Sequence, residues 1–216
     1  MLGVLMLQTR FPRPPGDIGH PGTFHFPVRQ LRVQGATPAC IVRGRSASML
    51  APFIEGGHAL VAQGATALST SCGFLALWQR ELQAALPVPV WTSSLLKLAD
   101  LKPLRCGVIT IEALSLTPAH FIAVGADPHT PVEGITPGSP LHRTLLQDLP
   151  ELDTADAQTQ VLAAAGRLRA RHPDLQALVL ECTNLPPYAP ALRQATGLPV
   201  HDITTLLVER MATPSP

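Results

Sequence analysis

Aromatic residues are scarce: two tryptophans, one tyrosine and six phenylalanines in 216 residues. So thin and scattered a set cannot build a base-stacking platform for single-stranded nucleic acid. Charge is low as well, with 14% Asp, Glu, Lys and Arg, a formal net charge of +1 and no run of like charges. That balance leaves no basic stripe for a phosphate backbone and no acidic solvating tail. Cysteine is limited to Cys40, Cys72, Cys106 and Cys182, without CxxC spacing or a disulfide framework. Reduced thiols and a cytoplasmic setting are therefore expected. Long hydrophobic runs are also missing. The opening MLGVLMLQ is short and leads into a charged segment rather than a small-residue cleavage site, so it reads as a first buried strand, not a signal peptide or a membrane span.

What is present is apolar and duplicated. With 46% hydrophobic residues, the chain can bury one large core or two smaller ones. An internal repeat favours two. At an offset of 110 residues, ATALSTSCGFLALWQRELQAALPVPV lies on LQALVLECTNLPPYAPALRQATGLPV, matching Ala67, Leu68, Cys72, Leu75, Leu82, Ala85, Pro89 and Val90 to Ala177, Leu178, Cys182, Leu185, Leu192, Ala195, Pro199 and Val200. Each half also opens alike, with Gly3-Val4 and Gly107-Val108. Short continuous apolar runs predict strands near 2–8, 39–43, 66–71, 88–92, 106–111, 176–181 and 199–203, with a weaker candidate at 131–135. Helices are predicted at 48–63, 73–85, 117–124, 153–171, 187–196 and 204–212; in the clearest, Val161, Leu162, Ala165 and Leu168 share a face. Strand and helix alternate, so the fold class is α/β with mostly parallel sheets flanked by helices, in two similar subdomains. Residues 1–103 form the first and 104–203 the second, joined near 99–106, while a last helix over 204–216 returns to the first and frays at 214–216.

Two of the four thiols are placed for chemistry. In parallel α/β sheets, ligands bind outside the carboxyl ends of the strands, and Cys72 and Cys182 each end a strand there. A following helix N-terminus favours the thiolate, so one sulfur is expected to be ionised while the other stays protonated. Such a pair suits removal of a proton from carbon on one face and delivery on the other, next to a carboxylate or carbonyl whose carbanion needs hydrogen-bond donors. Thr70, Ser71, Gly73, Thr183 and Asn184 flank the thiols as donors. The proline-rich segment TRFPRPPGDIGHPGTFHFPV adds Thr9, Arg10, Arg13, Asp17 and His20 on a stiff loop, with Arg10 a candidate for a bidentate carboxylate contact. Cys40 and Cys106 read as small buried hydrophobes. No histidine stands at ligand spacing from either thiol, so neither metal nor cofactor is expected. His201 follows Cys182 on the next strand, but its counterpart in the first half is Trp91, which gives a Cys-His hydrolase no symmetric support.

On STSCGF around Cys72, ECTNLP around Cys182 and the duplicated layout, the sequence resembles the aspartate/glutamate racemase superfamily. That resemblance implies two α/β subdomains with the site between them, Cys72 and Cys182 exchanging the roles of base and acid, and Thr183 helping to hold substrate. Departures concern the substrate. Gly73-Phe74 replaces a common Asn-Thr, Asn184 stands where relatives carry histidine or glutamate, and Arg10 and Arg13 occupy a region that opens with Asp-Ser in glutamate racemases. The implied activity is a PLP-independent racemase or epimerase of an acidic amino acid or related carboxylate, with a homodimer allowed and no nucleic-acid or membrane partner. Decarboxylation of a malonate, cis-trans isomerisation on the same fold, or carboxylate binding without turnover are the alternatives.

Overall fold

Five consecutive buried residues, Leu2–Met6, form β1, a strand with no polar alternation because both of its faces are covered. The structure, a computed structural model, describes residues 1–44 and 47–212. In chain order the elements are β1, β2 (Val28–Arg32), α1 (Leu50–Ala62), β3 (Ala67–Thr70), α2 (Gln79–Ala85), β4 (Val90–Trp91), α3 (Lys97–Asp100), β5 (Cys106–Thr110), α4 (Pro118–Ala123), β6 (Val132–Gly134), α5 (Pro140–Leu146), α6 (Thr154–Arg171), β7 (Ala177–Leu180), α7 (Ala189–Thr196), β8 (Val200–His201) and α8 (Ile203–Ala212), with short 3₁₀ turns between some of them. They build two four-stranded sheets, ordered β2-β1-β3-β4 and β6-β5-β7-β8. Every pairing is parallel, and both sheets wind the same way. The fold is α/β, and β3 and β7 occupy the same inner position in their sheets.

Several elements differ from the sequence reading, for physical reasons. The strand expected at 39–43 is a π-helical turn, Ala39–Gly44. Its place beside β1 is taken by β2, whose sequence VRQLR is half polar and mostly exposed, as suits an edge strand, so a search for apolar runs passes over it. The π-helical turn instead crosses toward the second half, where Arg43 Nη2 donates to Glu112 Oε2 at 2.7 Å. Helix α5 lies where the sequence reading has no element; Pro140 opens it at a position where a missing N–H costs nothing. Helix α3 runs into the first two residues of the expected linker. Helix α6 begins where expected, with Asp153 Oδ1 accepting from the N–H groups of Ala155 and Asp156 at 2.9 and 3.0 Å. It buries Ala157, Val161, Ala164, Ala165 and Leu168, while Leu162 is only partly covered. The expected fray at 214–216 lies outside the described residues. Among the described residues no helix is long and apolar enough to cross a membrane.

The last helix packs on the first sheet. Ile203, Leu206 and Leu207 of α8 form one cluster with Leu2, Val4 and Ala67 of β1 and β3. Arg210 reinforces the contact through Asp100, 2.7 Å away.

Where the two halves meet, their backbones touch. A Cβ placed on Gly73 would fall 2.1 Å from the carbonyl oxygen of Glu181 and 2.4 Å from its Oε1, so only glycine admits this approach. Hydrogen bonds on either side fix the register: Thr183 Oγ1 donates to the Ser71 carbonyl at 2.7 Å, and Ser94 Oγ to the Leu180 carbonyl at 2.6 Å. The carboxyl ends of β3 and β7 are thereby pinned against each other.

Two stability measurements follow. Leu207→Ala removes a fully buried side chain and is expected to lower unfolding free energy by about 2–5 kcal/mol in urea titration, whereas the exposed change Val208→Ala should fall within about 0.5 kcal/mol of the parent. Gly73→Ala forces the two backbones apart and should cost at least about 1–3 kcal/mol in the same titration.

Candidate active site

Beyond the last residues of β3 and β7, the chain continues as Ser71-Cys72 and Glu181-Cys182, and each cysteine then leads into a tight turn. Both thiols line one narrow cavity of about 30 Å³. Leu7 and Ile111, which follow β1 and β5, lie on its walls with Phe11, Val42, Phe74 and Leu145. The described residues that line it carry no charge, and most are apolar.

Equivalent positions are anchored by different chemistry. Ser71 Oγ accepts from the Leu7 N–H at 2.8 Å, tying the end of β3 to the segment after β1. At the matching place in the second half, Glu181 Oε2 accepts from Thr110 Oγ1 at 2.6 Å. The proline-rich loop supplies the next layer. Asp17 is fully buried; its Oδ1 accepts from Arg13 Nη1 at 2.8 Å and from the Gly19 N–H at 2.7 Å, and its Oδ2 accepts from Asn184 Nδ2 at 2.7 Å. A carboxylate accepts only, so it fixes which way the Asn184 amide points. The amide oxygen Oδ1 then faces Cys182, whose thiol donates to it across 3.7 Å.

Both thiols are hard to ionise in this surrounding. Burial pushes Cys72 up to about 12, helped by the charge of Glu181 and opposed by hydrogen bonds from the Phe74 and Leu75 N–H groups and by Arg13. Burial also pushes Cys182 well up, with Glu181, Cys72 and Asp17 adding to it and the Asn184 N–H opposing. The expected lowering by a helix terminus is therefore overturned: the backbone donors are present, but desolvation outweighs them. The two sulfurs are not equivalent. Cys72 accepts from two N–H groups, which favours its thiolate, whereas the bond to Asn184 Oδ1 favours the protonated form of Cys182.

Of the residues singled out in the sequence, Ser71, Cys72, Gly73, Cys182, Thr183 and Asn184 line the cavity. Thr70 is buried behind it, its hydroxyl donating to the Thr92 carbonyl at 2.7 Å. Arg10 lies outside: its guanidinium is on the surface, paired with Asp148, so no carboxylate contact in the cavity comes from it. Thr9 is also outside, its Oγ1 accepting from Arg13 Nη2 at 3.1 Å in a neighbouring groove. His20 Nδ1 accepts from the Gly22 N–H, away from the thiols, and His201 lies on β8 outside the cavity. Cys106 is buried at the start of β5, while Cys40 is only half-buried, because it lies in the π-helical turn rather than a strand. Among the described residues no group of three His, Cys, Asp or Glu is arranged to hold a metal. Sequence reasoning missed Phe11, Val42, Leu145 and Leu146 as cavity walls and Asp17 as the anchor of Asn184. The Ser139-Pro140 pair, a helix-start signal, could have exposed α5 and hence the two leucines; Asp17 is marked by its place in the proline-rich loop, but its partner Asn184, 167 residues away, is not.

Comparison with known proteins gives both sequence relatives and structural neighbours. No family model matches the chain. A dimethylsulfoniopropionate lyase of Durusdinium sp. clade D is 27% identical over 93% of the chain and 70% of its own length. Dimethylsulfoniopropionate lyase 6 of Emiliania huxleyi is 30% identical over 94% of the chain and 57% of its own length, so the chain spans little more than half of that relative. Among solved structures, arylmalonate decarboxylase superposes with a TM-score of 0.64 at 14% identity, covering 99% of this chain and 94% of that one. Allantoin racemase from Pseudomonas fluorescens superposes at 0.62 with 16% identity over 100% and 98%, and the aspartate racemase of Picrophilus torridus at 0.57 with 11% identity over 100% and 96%. Two parallel four-stranded sheets of identical winding, superposing along their whole length on racemases and a decarboxylase, make this the fold of the aspartate/glutamate racemase-like proteins.

Proposed function

We propose that the chain is a cofactor-independent enzyme that removes a proton from the carbon next to a carboxylate, with Cys72 as the base, and that its reaction is the elimination of dimethyl sulfide from dimethylsulfoniopropionate. The observation that carries the reading is that Cys72 and Cys182 line the same small, apolar cavity. The names of the sequence relatives, matched over 93% and 94% of the chain, supply the substrate.

The cavity suits this substrate on physical grounds. Two buried sulfurs with raised pKa need a positive charge close by to ionise, and a sulfonium brings one with it. Phe11 and Phe74 stand among its walls as aromatic neighbours for a methylated cation, although the Phe11 ring already carries the Arg13 guanidinium 4.9 Å from its centroid. In the elimination, the Cys72 thiolate takes the α-proton, a carbon–carbon double bond forms, and the carbon–sulfur bond breaks with its electron pair leaving on sulfur. Thiolate and sulfonium thus become thiol, neutral dimethyl sulfide and acrylate. Opposite charges cancel along that path, and a dry cavity favours such cancellation. Gly73 and Thr183 line the cavity, and their backbone N–H groups are the donors proposed to steady the carboxylate as negative charge builds on it. The thiol proton is released to solvent as the next sulfonium enters, which restores the thiolate.

A second reading rests on Cys182. Elimination requires one base, yet a second thiol shares the cavity and is held protonated by Asn184. A pair of that kind suits return of a proton to the opposite face of the carbanion, the racemisation or epimerisation of an acidic amino acid or related carboxylate.

Purified protein is expected to release dimethyl sulfide from dimethylsulfoniopropionate, measured by headspace gas chromatography, and Cys72→Ser should slow that release by about 10²–10⁴-fold. Deuterium uptake at the α-carbon of aspartate or glutamate in heavy water, with no dimethyl sulfide released, would move the assignment to racemisation. Neither product from any of these substrates would remove the thiol pair from catalysis.

A further inference from the structure

Glu181 is fully buried, and its Oε1 has no hydrogen-bond partner among the described residues. Oε2 is held by Thr110. The free oxygen lies against Gly73, within 2.4 Å of where a Cβ would stand, so one carboxyl borders the residue after Cys72 and is itself the residue before Cys182. Anchoring the strand end does not call for a carboxyl. In the first half the matching residue is Ser71, and a hydroxyl does the same work by accepting from Leu7. An acid at this place leaves a buried polar oxygen without a partner among the described residues, which costs free energy that a hydroxyl there would not.

We propose that Glu181 is a positioning residue that sets the charge of the thiol pair: as a neutral acid it permits one negative charge to be held by Cys72 and Cys182, and on ionising it denies them that charge. The proposal rests on the proton chemistry assigned above to the thiols. Like charges a few ångströms apart in a low-dielectric site cannot all form, so the three groups titrate as one system. Burial lifts Glu181 to about 8, against the lowering effect of the Thr110 hydrogen bond, so the acid is mostly neutral at pH 7. Its charge, once formed, raises both Cys72 and Cys182. The other groups acting on the thiols come from the proline-rich loop, where Asp17 raises Cys182 and Arg13 lowers Cys72. Tyr188, from the turn before α7, is buried nearby and is itself raised chiefly by burial, with Asp17 and Cys182 adding to it.

The test reads thiol reactivity directly and uses no substrate. Alkylation of the Cys72 and Cys182 peptides by iodoacetamide is followed by mass spectrometry from about pH 6 to about pH 10, with Cys40 as internal control; a simple thiol gains about tenfold in rate per pH step. In the parent protein the rise should flatten above about pH 8, where Glu181 ionises. Glu181→Gln keeps the shape and stays neutral, so its profile should continue to rise and exceed the parent by up to about 100-fold at the alkaline end, two pH steps above the break. Thr110→Val removes a donor that favours the carboxylate, so the break should move to higher pH. Superimposable profiles for parent and Glu181→Gln, both folded by circular dichroism, would overturn the proposal. If Glu181→Gln does not fold, an unmoved break in Thr110→Val would overturn it instead. A protein that shows the break but releases no dimethyl sulfide would refute the substrate assignment and leave this inference standing.

Discussion

Close approach of two backbones at Gly73 and Glu181 is the constraint on which the site depends. Without a side chain at Gly73, the turn after β3 rests on the carbonyl of Glu181, and the Thr183 to Ser71 and Ser94 to Leu180 hydrogen bonds lock the two strand ends in that contact. Each strand end carries a cysteine as its next outward group, so bringing the ends together brings both sulfurs to one cavity. The duplicated sheets do the rest. Identical strand order in the two halves gives the cavity matching walls, Leu7 from one half and Ile111 from the other.

Chemical asymmetry is then laid over this structural repeat. Ser71 and Glu181 occupy equivalent positions, yet one presents a hydroxyl and the other a buried acid. Cys72 receives backbone N–H groups, while Cys182 gives its proton toward an amide oxygen whose orientation is set by Asp17. Asp17 in turn is neutralised by Arg13 on the same proline-stiffened loop. A chain of contacts thus runs from Arg13 through Asp17 and Asn184 to Cys182, within walls whose apolar character makes both thiols difficult to ionise.

Much of this was legible in the sequence because repeats and apolar runs are strong signals. The pairing of Ala67 with Ala177 through Val90 with Val200 gave the two halves, and the inner strands, buried on both faces, stood out as continuous apolar segments. What escaped was carried by polar or tertiary features. Strand β2 is an exposed edge rich in arginine, and the apolar CIVRG run is a π-helical turn because its role is to cross to Glu112 rather than to extend a sheet. Arg10, plausible as a carboxylate binder by its place after the first strand, is drawn to the surface by Asp148, a partner 138 residues away that no local pattern reveals. The thiols were found from symmetry, but their ionisation was not, since helix-end donors are local while burial is a property of the whole fold.

The central claim, that both sulfurs face one cavity closely enough to act on a single small molecule, is tested most directly by a short bifunctional alkylating agent. Treatment with 1,3-dibromoacetone, which loses two bromides as it forms two carbon–sulfur bonds, is expected to yield a bridge joining the peptides that contain Cys72 and Cys182, identified by mass spectrometry after digestion. Adducts attached at only one end, or a bridge that joins either sulfur to Cys40 or Cys106 instead, would contradict the account.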